Sequence, residues 1–228
     1  PAWEFLPIAG QLGAWGLPAP KTEPRISVKI APRASATPKR LIDLSNHYNA
    51  SMNETWQVGG LAENDLKSLP QGTPELCGLP FDVRGIVQLT GSSAEEQLSV
   101  KFPQKVQGIA VNQESSKLHA LHACGWTETD GTQIGSFVLH YEDGETRELP
   151  IMYGKHVRDW WTPANTPDTT DSQVAWKGAN TASSASQIAL QIYKTTWDNP
   201  RPDVAISTID YVSSRSGAAP YLIAITLE

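Results

Sequence analysis

The sequence predicts an all-β fold: an antiparallel β-sandwich of jelly-roll type carrying an extended, proline-rich N-terminal arm. Three observations predict it. Short runs rich in β-branched and aromatic residues recur from Leu41 to the end, with a single helix-like stretch among them. The segment QIGSFVLHYEDGETRELPIMYG sets Asp143-Gly144 between two strand-like runs, a strong local hairpin signal. Charged residues make up 18% of the 228, below the usual quarter or so, and Thr, Ser, Gly and Pro take their place, as in turn-rich β proteins.

Residues 1–40 differ from the rest. They hold Pro1, Pro7, Pro18, Pro20, Pro24, Pro32 and Pro38, with a basic stretch from Lys21 to Arg40. This reads as an extended arm or linker with one strand-like run at Ile26 to Ile30. Trp3, Phe5, Leu6, Ile8, Leu12 and Trp15 are too apolar for a solvated tail. They are expected to dock on this domain, on a partner, or on a missing part of a longer polypeptide.

The sandwich domain is expected to span residues 41–228. Its strands are placed at Leu41–Leu44, Phe81–Leu89, Val106–Val111, Leu118–Trp126, Ile134–Tyr141, Arg147–Tyr153, Val174–Lys177, Ile188–Thr196, Val204–Val212 and Tyr221–Leu227. A short helix is expected near Glu63–Ser68, started by Glu63 or Asn64 and ended by Leu69-Pro70. Phe81, Val83, Leu121, Phe137, Leu139, Ile192, Ile209 and Ile225 are the expected core.

Composition narrows function. A net charge of −6 argues against a nucleic-acid groove, which needs a dense basic patch. No apolar run approaches the roughly 20 residues that span a bilayer. Cys77 and Cys124 either pair or remain as free thiols. The chain opens at Pro1 without an initiator Met, as a processed or trimmed product would.

Several runs together resemble one family. FDVRGIVQLTG (81–91), KLHALHACGW (117–126), the hairpin at 135–154, RDWW (158–161) and IYKTTWDNPRPDVAISTIDYVSS (192–214) resemble a galactose-binding-like jelly-roll module of the novel putative carbohydrate-binding type. Such modules occur beside glycoside hydrolases and in large bacterial multidomain surface proteins. The resemblance covers roughly residues 41 to 228. It implies a non-catalytic carbohydrate-binding accessory module with an extracytoplasmic location. The apolar, proline-rich arm points to an alternative, a structural or assembly domain that binds another protein chain through its arm and sandwich surface.

The chemistry in the chain agrees with a binding role. No G-x-S-x-G, H-E-x-x-H or P-loop motif is present, so neither an enzyme nor a cofactor is expected. His119 and His122 fall on opposite faces of their strand and cannot share one metal ion there. Asp168 and Asp171 in the loop NTPDTTDS read as solvated loop residues rather than a calcium site. A sugar site combines rigid aromatic area with a few fixed polar groups. Two clusters have that make-up: His156, Arg158, Asp159, Trp160 and Trp161, and Trp197, Asp198, Asn199, Arg201 and Asp203; each reads equally as a Trp capping the end of the sandwich beside a structural Arg–Asp ion pair. In a strand, one of Trp160 and Trp161 is expected to enter the core; in a loop both could be exposed. Trp56, Trp126 and Trp176 are expected in the core. Arg84, if buried, needs a carboxylate, and Asp82 lies on the same strand face.

Overall fold

The strands that are longest in the sequence pattern form the frame. In a computed structural model, residues 28–228 are described. In chain order the elements are β1 (Glu75–Leu76), β2 (Leu79–Pro80), β3 (Val87–Gln88), α1 (Ser92–Gln97), β4 (Lys105–Gln113), β5 (Lys117–Gly125) and β6 (Gln133–Tyr141). They continue with β7 (Thr146–Met152), β8 (Trp161–Thr162), β9 (Gln173–Gly178), α2 (Thr181–Ala185), β10 (Ala189–Asp198), β11 (Ile206–Ser213) and β12 (Ala219–Leu227).

Two antiparallel sheets pack face to face. One runs β3-β12-β5-β10 and the other β4-β11-β6-β7. If these strands are numbered in chain order, their sheet orders are 1-8-3-6 and 2-7-4-5. That is the strand order of a jelly roll. β9 adds to the free edge of β10, and β8 adds to the edge that β10 shares with β5: Tyr193 pairs with His122 and Val174, and Leu190 pairs with Trp161 and Gly178. The start of β10, the end of β5 and the residues around β8 therefore converge at one end of this sheet.

The core is where the pattern placed it. Phe81, Val83, Leu121, Phe137, Leu139, Ile192, Ile209 and Ile225 are fully buried. Every residue of β12 is buried, as is all of β5 beyond Lys117. Strands covered on both faces read as continuous apolar runs rather than alternating ones, which accounts for the sequences APYLIAITL and LHALHACG. Leu41, Leu44, Met52, Leu66 and Leu69, from the irregular segment ahead of β1, are buried with them. Ile42 N–H donates to Ile225 O at 2.9 Å, tying this segment to β12.

The expected hairpin is present, with a loop of Glu142, Asp143 and Gly144. Gly144 N–H donates to Tyr141 O at 3.0 Å, and Gly144 takes the left-handed φ of 88° that the turn needs. Three expectations are corrected. Leu41–Leu44 makes one bridge, Leu41 to Thr226, instead of a strand. Phe81–Leu89 shortens to Val87–Gln88 plus isolated bridges at Val83 and Ile86. The helix at Glu63–Ser68 does not form. Glu63 sits at φ 56°, and the Asp65 carboxylate accepts Lys67 N–H at 3.2 Å, so local side-chain bonding replaces helical bonding.

The described part of the arm, residues 28–40, contains neither helix nor strand and lies on the sandwich. Ile30 packs against the core, and Arg33 donates to Asp82 at 2.7 Å and to Leu41 O at 2.5 Å. The remainder of the strand-like run at Ile26 to Ile30, and the apolar residues Trp3 to Trp15, lie outside the described residues. Cys77 and Cys124 are unpaired: Cys77 is exposed at the tip of the β1–β2 turn and Cys124 is buried in β5. No helix among the described residues is long and apolar enough to cross a membrane.

Candidate functional site

The structure divides the first aromatic cluster between interior and surface. Trp160 is 1% exposed and packs on Trp56, ring centres 5.1 Å apart, and edge-on to Tyr221 at 6.1 Å. Trp161 points the other way and is half-buried, as strand alternation requires. Arg158 turns aside. It holds Asp130 through two bonds of 2.7 and 2.8 Å and lies 5.6 Å from the Tyr153 ring centre. His156 is buried edge-on to Trp197 at 5.1 Å. Its Nδ1 accepts Met152 N–H at 3.0 Å, and burial pushes the ring down to about 4, so it is neutral near pH 7.

The second cluster is turned inward. Trp197 is 8% exposed, sits edge-on to Phe137 and His122, and donates its indole N–H to Pro150 O at 3.2 Å. Asn199 is buried, donates to Ser115 O at 2.8 Å and accepts from the Tyr141 hydroxyl. Arg201 grips Asp143 of the hairpin loop through bonds of 2.9 and 2.6 Å, with its guanidinium 5.0 Å from the Tyr141 ring centre. These groups fasten the β6–β7 hairpin to the loop after β10. The cluster offers no open stacking face, because Trp197, near the end of β10, fills the space between the sheets.

A groove forms instead where β5 ends and β8 begins. It encloses about 240 Å³, and Trp126, Asp159, Trp160, Trp161, Gln57 and Asn64 are among its walls. Trp126, expected in the core, is half-buried here. Strand alternation would have carried it inward beside His122 and Cys124, but Trp126 adopts a φ of 65° and swings out. A bulky residue in this region is a rare backbone state that stores strain, and such states cluster at functional sites.

Asp159 joins the two indole-bearing segments. Its carboxylate accepts the backbone N–H of Trp161 at 3.1 Å and that of Trp126. Each indole is fixed as well: Trp126 Nε1 donates to Gln97 at 3.0 Å, and Trp161 Nε1 to Asn64 at 3.1 Å. Asn64 is itself held by Asn180, the cap of α2, at 3.0 Å. Two aromatic rings thus stand preset on a polar network. Gln57 is buried beside Gly125, and its amide nitrogen has no protein partner. A buried donor without a partner is costly unless something binds it.

Sequence reasoning reached Asp159, Trp160 and Trp161 but not Trp126, Gln57, Asn64 or Gln97 as site residues. The Gly125-Trp126 pair closing a strand is the one local signal, since a strand-ending glycine marks a change of direction.

Burial lifts the Asp159 carboxyl to about 7, against the opposing pull of the two backbone N–H bonds. Because the folded-state value exceeds the ordinary 3.8, the native state keeps a proton that the unfolded chain releases. Stability contributed by this group therefore falls as pH rises from about 4 through 7. Asp159→Asn is expected to be more stable than the parent by about 1–2 kcal/mol near pH 8, after allowing for solvent screening at a partly exposed group. Near pH 4 the two should be equal. Urea unfolding at both pH values checks this; an Asp159→Asn protein no more stable than the parent at pH 8 contradicts it.

Among the described residues, no group of three or more His, Cys, Asp or Glu side chains is arranged to hold a metal ion. His119 and His122 lie on opposite faces of β5: His119 bonds Thr196 and Glu228, while His122 bonds Thr195 inside the sandwich. No family model and no curated protein matches this chain. The fold and groove define a class, an all-β jelly-roll sandwich with a preset aromatic groove at one end of its larger sheet.

Proposed function

We propose that this chain is a non-catalytic carbohydrate-binding accessory module that works outside the cytoplasm, with the Trp126–Trp161 groove as its sugar site. The observation that carries the reading is the pairing of two half-buried indoles with amide and carboxyl groups in one groove. Pyranose rings offer an apolar C–H face to an indole and hydroxyls to amides and carboxylates. A module of the family that the sequence resembles would use such a site. A glycosidase needs two facing carboxyl groups, and Asp159 is alone in lining this groove.

Stacking on one indole contributes on the order of 1–2 kcal/mol, so Trp126→Ala or Trp161→Ala should each weaken binding roughly ten-fold. Both variants should stay folded, with a smaller loss of stability than truncation of a fully buried ring brings, because each ring is half-buried at the edge of the core. A glycan array identifies the ligand, and calorimetry on the variants measures the loss. Unchanged affinity in both variants defeats this assignment.

One observation favours a second reading, an assembly domain. Val58 and Leu61 are 51% and 54% exposed close to the groove, an apolar rim suited to another polypeptide. Stoichiometric co-purification of a protein chain, with no glycan bound, would support that reading over the first.

A further inference from the structure

We infer that the Trp126–Trp161 groove selects its sugar by charge, taking neutral and amino sugars and rejecting uronic and sulfated ones, with Asp159 setting the discrimination. The inference rests on the sugar-binding reading of the groove.

The groove walls carry one ionisable side chain, Asp159; the other polar groups there are the neutral amides of Gln57, Asn64 and Gln97. Arg158, the nearest cation in sequence, is committed to Asp130 at 2.7 and 2.8 Å and is absent from the walls. An incoming carboxylate or sulfate would meet no compensating cation, and bringing it beside a half-buried carboxylate costs both desolvation and repulsion. A hydroxyl, in contrast, finds an acceptor in Asp159. An ammonium finds the Asp159 carboxyl in a groove that two indoles also line.

The discrimination should follow pH. The ionisable groups on neighbouring elements that feel the Asp159 charge are Cys124 of β5, Tyr153 after β7 and Tyr221 of β12. Burial raises the pKa of each, so all three remain neutral near pH 7. Asp159 thus supplies the local change of charge, gained as pH passes about 7.

The test measures calorimetric affinity of the full chain for galactose, glucose and mannose oligosaccharides and for their uronic counterparts, at about pH 5.5 and pH 8. The uronic form should bind roughly ten-fold or more weakly at pH 8 and only a few-fold more weakly at pH 5.5. Asp159→Asn, which keeps an acceptor oxygen for both backbone amides, should remove the pH dependence. Equal or tighter binding of the uronic form at pH 8, or discrimination unchanged in the variant, overturns the inference and leaves sugar binding intact. Failure of every oligosaccharide to bind overturns the sugar reading itself, and this inference with it.

Discussion

Trp160→Ala is expected to lower the unfolding free energy by about 3–5 kcal/mol. The ring is 1% exposed and completes an aromatic cluster with Trp56 and Tyr221, whose own ring centres are 5.8 Å apart. Its backbone also joins two strands: Trp160 N–H donates to Cys124 O, and Gln191 N–H donates to Trp160 O, both at 2.9 Å. Those bonds persist in the variant, so the cost is that of the cavity and the lost contacts. Trp161→Ala, one residue along, should cost well under half as much, because that ring faces the groove. Denaturant midpoints of the two variants give the comparison. Equal destabilisation would mean that the alternation at β8 has been misassigned.

Arg84→Met is expected to cost about 3 kcal/mol, by leaving a buried carboxylate short of partners. Arg84 and Asp82 are 6% and 3% exposed and share bonds of 2.8 and 3.0 Å. Arg84 also reaches Asp43 at 2.8 Å and lies 5.5 Å from the Tyr48 ring centre. Arg33 of the arm still holds Asp82 at 2.7 Å, which keeps the loss at the lower end of what breaking a buried pair brings. The same network pins the arm, so Arg84→Met should also hasten proteolysis near Arg33. A variant within about 0.5 kcal/mol of the parent would contradict the assigned role.

The fold was legible where its signals are local. β5, β6, β7, β10, β11 and β12 fall within a few residues of their expected positions: β6, β10, β11 and β12 are rich in β-branched and aromatic residues, β5 is a long, mostly apolar run, and the Asp143-Gly144 turn fixes where β7 begins. The strands β1, β2 and β8 have two residues each and no period to read. The helix α1, with the sequence SSAEEQ, buries only Ala94, so it lacks an apolar stripe as well. The Asp82–Arg84 pair was foreseeable, since an arginine inside an apolar run demands a carboxylate.

The site was legible in part, and for a definite reason. Alternation separated Trp160 from Trp161 but cannot foresee a tryptophan with a positive φ, which is why Trp126 was assigned to the core. Gln57 and Asn64 reach the groove from an irregular segment whose path depends on tertiary packing. Trp197 and Arg201 had the composition of a sugar site. Their surroundings decide otherwise: one fills the space between the sheets, and the other pairs with Asp143 across 58 residues of chain.

Entry of a pyranose into the Trp126–Trp161 groove is tested most directly by indole N–H resonances. The eight tryptophans each contribute one such signal in a nitrogen–proton correlation spectrum. Titration with a glycan selected on an array should shift the Trp126 and Trp161 signals, whose N–H groups bond Gln97 and Asn64 on the groove walls. The signals of Trp56 and Trp197, bonded to Gln88 and Pro150 in the interior, should stay in place. Saturable binding that leaves the Trp126 and Trp161 signals unmoved would contradict sugar binding in this groove.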